Sequence, residues 1–139
     1  MAALYSEAVR TRCREPRRAG GWPAGAAAVG TGATGSLDAG AWTRLQVHVS
    51  PAGDVVDDAR FRVFGCSAAV ASASFVADAI VGIAPAAVRA LDARAVVDAL
   101  ALPADKHAMA TLATDAARAA IDDWERQRRD QGPGTGDGR

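Results

Sequence analysis

Two stretches of strict alternation occupy the middle of the chain. From 42 to 50, Leu45, Val47 and Val49 point one way while Arg44, Gln46 and His48 point the other, which predicts a half-buried strand. From 55 to 64, Ala59, Phe61 and Val63 alternate with Arg60, Arg62 and Phe64. The turn chemistry of Ser-Pro-Ala-Gly-Asp at 50–54 joins the two as an antiparallel hairpin. A hairpin alone is marginal, so a third strand is expected from the 28–41 stretch, inside the glycine- and alanine-rich loop that fills 19–40.

Helical periodicity surrounds this hairpin. Tyr5, Ala8, Val9 and Cys13 share a face, predicting a helix over 3–14 that Pro16 ends. Residues 67–81 predict a second helix, apolar nearly all round except for a narrow stripe of Ser67, Ala71, Ser74 and Asp78. Such a helix is expected to be central and buried. Gly82 closes it, and 85–100 predicts two short helices split near Asp92. A last helix is expected from an Asp105 N-cap to about 128, burying Met109, Leu112, Ala113, Ala116, Ala120 and Trp124. Strands grouped together and helices grouped together give an α+β domain, a small antiparallel sheet of about three strands packed on one face by helices. The domain is expected over 1–129, with a polar, glycine-rich tail over 130–139 that cannot bury anything and is expected to be disordered.

Composition narrows the function classes. Of 139 residues half are hydrophobic but only 5% aromatic, so the core must come from Ala, Val, Leu and Ile. Sixteen basic and sixteen acidic residues give a formal net charge of zero, which argues against bulk electrostatic binding of nucleic acid. No apolar run is long or continuous enough to span a bilayer, and no secretory signal opens the chain. The expectation is a soluble cytoplasmic protein with neither nucleic acid nor membrane as partner.

Candidate chemistry is sparse. No Ser/His/Asp or Cys/His constellation has catalytic spacing, so the chain is not expected to be an enzyme. The Gly-Thr-Gly-Ala-Thr-Gly run at 30–35 mimics a dinucleotide fingerprint but lacks the strand–turn–helix context, and it reads as a loop. His48 falls on a polar strand face and reads as a surface histidine. Arg10, Arg12, Arg14, Arg17 and Arg18 make the first helix and its exit basic, either a solvated face or a dock for an acidic partner. Of the two cysteines, Cys13 continues a buried stripe and reads as packing. Cys66 lies where a strand meets a helix N-terminus, which lowers a thiol pKa, although a small apolar residue could fill the same junction.

Three segments carry a likeness to a known family: the opening helix through Glu-Pro-Arg-Arg-Ala-Gly at 15–20, the run from Asp57 through Gly65-Cys66-Ser67 to Ser74, and Leu100-Ala-Leu-Pro103 followed by Lys106 and Leu112 to Ala116. Over 4–128 the chain resembles the U-type iron–sulfur cluster scaffolds, the IscU and NifU N-terminal family. That resemblance implies a SufE/IscU-like fold, assembly of an iron–sulfur cluster, and sulfur supplied by a cysteine desulfurase as partner. It also implies a ligand set of three cysteines with an Asp and a His. Residue by residue, the first cysteine and the aspartate fall on Ala39 and Ala41, the second cysteine on Cys66, and the His-Cys pair on Ala108 and Met109. One thiolate cannot hold a cluster that takes four ligands.

Asp38, Cys66 and His107, each at or one step from a family ligand position, form the candidate metal set, for Zn²⁺ or Fe²⁺ if not a cluster. No metal at all is the other alternative. Two functions stay open. One is a divergent scaffold, for which a homodimer sharing two Cys66 thiolates is one form. The other is a non-metal adaptor that binds a desulfurase or a true scaffold. The family's Leu-Pro-Pro-Val-Lys chaperone motif reads Leu-Pro-Ala-Asp-Lys at 102–106, and burying that Asp would oppose chaperone docking.

Overall fold

The structure is a computed structural model that describes residues 5–23 and 25–131, the side chain of Gln131 excepted. In chain order it has α1 (Glu7–Arg14), β1 (Val29–Ser36), β2 (Ala41–Val49), β3 (Val56–Phe64), α2 (Ser67–Ile80), α3 (Pro85–Arg89), α4 (Ala93–Leu100), a 3₁₀ turn (Ala104–Lys106) and α5 (His107–Gln131). The three strands form one antiparallel sheet in the order β1-β2-β3. Helices cover one face, α5 lying along β1 and β2, and α2 along β3.

Strand alternation sets this layering. Leu45, Val47, Ala59 and Phe61 pair across β2 and β3 and are all buried against α2 and α5. On the helical side Ala, Val and Ile do the filling: Ala68, Ala71, Ala77 and Ile80 of α2 meet Ala110, Ala113, Ala117 and Ile121 of α5 in one core. The missing bulk of this alanine-rich core is made up by close approach. Gly30 and Gly32 of β1 lie under α5 so tightly that an added Cβ would come 2.1 Å from the Ala120 carbonyl and 2.3 Å from that of Ala116, respectively. The glycines that disguise this stretch as loop are therefore what lets helix and strand touch.

The structure shifts several expected boundaries. Asp105 does not cap the last helix; it sits inside the 3₁₀ turn, and α5 opens at His107. Asp92 does cap α4, its side chain accepting the Arg94 N–H at 2.9 Å. Met109 and Leu112 are only partly buried, and Ala117 and Ile121 join Ala113, Ala116, Ala120 and Trp124 on the inner stripe of α5. Asp130 and Gln131 belong to α5, while the expectation of a disordered tail over 132–139 lies outside the described residues, as does the predicted helix start at 3–4.

The N-terminal segment is tied down by charge. Residues 18–20 pair with the free edge of β3, the Phe61 N–H donating to the Arg18 carbonyl at 3.0 Å and the Gly20 N–H to the Phe61 carbonyl at 2.9 Å. The chain then crosses the sheet face opposite the helices, where Gln46 accepts the Trp22 N–H at 2.8 Å and Arg60 lies 4.9 Å over the Trp22 ring. Ser74 and Asp78 of the polar stripe of α2 face the N-terminal arginines, while Ser67 is exposed. Asp78 accepts from Arg12 at 2.8 Å and from Arg18 at 2.7 Å, Ser74 accepts from Arg12 at 3.0 Å, and Asp58 accepts from Arg18 at 2.9 Å and Arg60 at 2.6 Å. Burial raises the Asp78 pKa, but Arg12 and Arg18 outweigh it and hold the carboxyl below its ordinary range.

That shift fixes a sign. A carboxylate favoured in the fold stabilises it above the unfolded carboxyl pKa, and the contribution is lost as pH falls through the lowered folded value. Asp78→Asn leaves two half-buried guanidiniums without their shared anion and is expected to cost about 2 kcal/mol at neutral pH. It is also expected to flatten the acid limb of the stability curve. Urea denaturation from pH 3 to 7 measures both, and an unchanged acid limb would count against the assignment.

Candidate functional site

The strand-to-helix junction after β3 carries a partly buried thiol with supporting groups. Gly65 has φ +157°, and a Cβ there would meet the Ala69 side chain at 2.9 Å and Ala41 at 3.6 Å. Glycine thus lets the start of β2 lie against the start of α2. Cys66 follows as the N-cap residue of α2, with φ −76° and ψ 177°. Its sulfur makes no capping hydrogen bond of good geometry. Burial pushes the thiol up, but the N–H groups of Ala69 and Ala68, the Lys106 ammonium and the Tyr5 hydroxyl together outweigh burial and hold Cys66 below the ordinary thiol range. The effect is reciprocal: the Cys66 thiolate and Tyr5 push Lys106 up, and burial followed by the thiolate pushes Tyr5 up.

Tyr5 and Lys106 are the neighbours that sequence reading did not attach to Cys66. Lys106 was visible as part of the Leu-Pro-Ala-Asp-Lys segment, yet nothing in that spacing points at a residue forty positions earlier. The 3₁₀ turn brings it there. Cys13, by contrast, sits half-buried against the core, its thiol donating to the Ser67 carbonyl at 3.3 Å, as a packing cysteine would.

The other candidate ligands share this end of the molecule without forming a set. Asp38 is exposed in the turn at 37–40 between β1 and β2, and Ala41, after that turn, packs beside Gly65. His107 opens α5, exposed, its Nε2 3.2 Å from the Leu102 carbonyl. Among the described residues no three His, Cys, Asp or Glu side chains gather as a metal site, so Asp38, Cys66 and His107 are not brought together as one. Ala39, Ala41, Ala108 and Met109, the positions that resemblance assigns to the remaining donors, offer methyl groups and a thioether. The donors present therefore do not fit a four-ligand cluster held by this chain alone.

The basic patch is also smaller than its sequence suggests. Arg10 and Arg14 pair with Glu7 at 2.7 and 3.0 Å, and Arg12 and Arg18 are taken by Asp78 and Asp58. His48 is partly exposed and lies 2.6 Å from Asp57.

A three-stranded antiparallel sheet with helices on one face and a cysteine at the strand-to-helix exit defines a small α+β domain. The profile of the NifU-like N-terminal domain matches residues 4–131, and the chain belongs to that family. It is 34% identical over 124 residues to the iron-sulfur cluster assembly scaffold protein IscU of Escherichia coli K12, covering 89% of this chain and 96% of that protein. It is 33% identical over 132 residues to the mitochondrial iron sulfur cluster assembly protein 1 of Yarrowia lipolytica, covering 95% of this chain and 72% of that one. Among solved structures, the N-terminal NifU-like protein of Brucella abortus superposes with a TM-score of 0.65 at 19% identity, covering 90% of this chain and 96% of that one. This last likeness speaks for the fold. No helix of the described residues is long and apolar enough to cross a membrane.

Proposed function

We propose that this chain works in iron–sulfur cluster assembly as a scaffold-family protein whose own contact to cluster or sulfur is Cys66 alone. The cluster is cargo here, not a resident cofactor. The observation that carries the reading is a thiol at a helix N-terminus, flanked by Lys106 and Tyr5, in a chain of the NifU-like family. A thiolate is the soft donor that iron and sulfane sulfur take, and the N–H groups of Ala68 and Ala69 with Lys106 stabilise the charge it carries. The missing donors must come from outside this chain: a second copy, a small thiol or a partner protein. A cysteine desulfurase is the partner class proposed to supply sulfur. The protein catalyses no turnover of its own in this reading, and it acts in the cytoplasm.

A second reading has its own observation in favour. With alanines at three of the ligand positions that the resemblance implies, methionine at a fourth, and no metal-holding group among the described residues, the chain fits an adaptor that binds a desulfurase or a complete scaffold and retains no iron. Anaerobic reconstitution with iron, sulfide and thiol, followed by desalting, separates the two. The scaffold reading expects retained iron and a visible charge-transfer band, both lost in Cys66→Ala. Desulfurase binding without retained iron selects the adaptor.

A further inference from the structure

The fold treats the two edges of the sheet differently. The outer edge of β3 is taken up by residues 18–20, and β3 itself carries Asp57, Asp58, Arg60 and Arg62. β1, the other edge, reads Val-Gly-Thr-Gly-Ala-Thr-Gly-Ser over 29–36, with no charge, no proline and no side chain larger than valine. A flat edge without those devices is a template for another strand.

The pairing register says which of its groups are open. The Val49 N–H donates to the Ala28 carbonyl at 3.0 Å, so Ala28 faces β2, and every second residue after it, Gly30, Gly32 and Thr34, does the same. Val29, Thr31, Ala33 and Gly35 therefore turn their backbone groups outward. Side chains of α5 cover the first of these: Gln127 donates to the Val29 carbonyl at 3.1 Å, and Asp123 accepts the Thr31 N–H at 2.8 Å. Cover stops there. Among the described residues nothing pairs with the Thr31 carbonyl, with the N–H or carbonyl of Ala33, or with the Gly35 N–H, and Ala33 and Gly35 are exposed. Gly35, at φ +80°, then takes the chain out of regular strand geometry and ends the open stretch.

We infer that Thr31 to Gly35 of β1 pairs antiparallel with the same stretch of a second copy of this chain, about a two-fold axis at Ala33. The open groups select that occupant because they are their own complement. The N–H and carbonyl of Ala33 meet the carbonyl and N–H of Ala33 in the other copy. Each Thr31 carbonyl accepts the Gly35 N–H opposite, while the Thr31 N–H stays with Asp123. No open group is left over, and the short, uncharged side chains bring no like charges to the axis. The product is one sheet in the order β3-β2-β1-β1-β2-β3. Cys66 follows β3, so the two Cys66 residues stand on opposite flanks, about 24 Å apart across five strand spacings. This dimer does not join the two thiolates. Of the outside donors named above, it leaves a small thiol or a partner protein.

Sedimentation velocity of the full chain, from micromolar to millimolar concentration, reads the association, and amide hydrogen exchange over the same range reads its place. A monomer–dimer equilibrium is expected, with the Ala33 and Gly35 amides slowing as dimer forms. Ala33→Lys sets like charges at the axis and should weaken dimerisation at least tenfold. Its side chain lies on the open sheet face and takes no bond from the fold, so the melting temperature of the dilute protein should hold. Ala33→Pro removes the edge N–H and should weaken the dimer as much. Pulsed electron paramagnetic resonance on a nitroxide at Cys66, in a Cys13→Ser background, should give a separation above about 20 Å. A chain that stays monomeric at millimolar concentration would overturn the pairing, even if the Ala33 amide slows on adding an unrelated strand-forming peptide. So would a dimer indifferent to both Ala33 variants, or one whose labels lie within about 10 Å of each other.

Discussion

Gly32→Ala is expected to lower the unfolding free energy by about 3 kcal/mol, more than any exposed substitution in the molecule. The added methyl would sit 2.3 Å from the Ala116 carbonyl, 2.4 Å from the Ala120 nitrogen and 2.7 Å from the Ala119 side chain. Two of these three are helix backbone, which cannot rotate out of the way. α5 must therefore lift from β1, and lifting it opens the alanine layer of Ala113, Ala116, Ala117 and Ala120, all fully buried. Each of those methyls contributes only while the helix and sheet are in contact, because dispersion falls steeply with a gap of less than an ångström. Domains of this size have about 5–15 kcal/mol in hand, so the change should show as a large fall in the urea midpoint. Gly40→Ala is the control. Its φ is +85° and nothing lies within 4 Å of an added Cβ, so it should cost only the left-handed strain, about 1 kcal/mol. Equal midpoints for the two variants would mean that α5 does not lie on β1 as described.

Cys66 is expected to alkylate with a pH midpoint below the ordinary thiol value of about 8.5, and Lys106→Gln to move that midpoint upward. The direction follows from opposed causes. Burial raises the thiol, while the Ala69 and Ala68 N–H groups, Lys106 and Tyr5 lower it further than burial lifts it. At pH values below the thiol pKa each tenfold gain in thiolate is offset by about a threefold loss of intrinsic nucleophilicity, so the rate at pH 7 should exceed that of a free thiol. Iodoacetamide labelling read by mass spectrometry distinguishes Cys66 from Cys13 in one sample. The linkage has a definite sign. A thiolate favoured in the fold adds stability above the unfolded thiol pKa, and that increment is lost as pH falls through the lowered folded value. Cys66→Ser should therefore remove a rise in stability on the alkaline side and leave the acid side alone. A Cys66 midpoint at or above that of a free thiol would remove the support on which its sulfur chemistry rests.

The same residues explain why the site is one-sided. Thiolate stabilisation at Cys66 comes from a helix end and a lysine, both of which survive. Cluster retention needs a ring of donors around one point, and Ala39, Ala41, Ala108 and Met109, the positions that the resemblance assigns to the other donors, carry no thiolate, carboxylate or imidazole. A helix N-terminus is a property of backbone and persists through substitution, whereas a ligand set vanishes one side chain at a time.

What the sequence by itself determined was local and periodic. Alternation at 45–49 and 59–63 placed β2 and β3 and chose their inner face, because a period of two leaves no other assignment. The nearly unbroken apolar character of 67–81 made α2 central, and Asp92 marked the start of α4. Cys66 at a strand-to-helix exit followed from where the alternation stops. What only the tertiary structure decided was every pairing between distant charges. The basic run of α1 looked available, yet Arg12 and Arg18 spend their charge on Asp78, sixty or more positions away, and Arg44 and Arg62, each unremarked within its own strand, turn out to face each other. Lys106 reaches Cys66 only because a 3₁₀ turn replaces the expected cap at Asp105. Hydrophobic burial is written in the spacing of a single segment, since each segment hides its own face. An ion pair is a relation between two segments, and neither carries a record of the other until the core has brought them together.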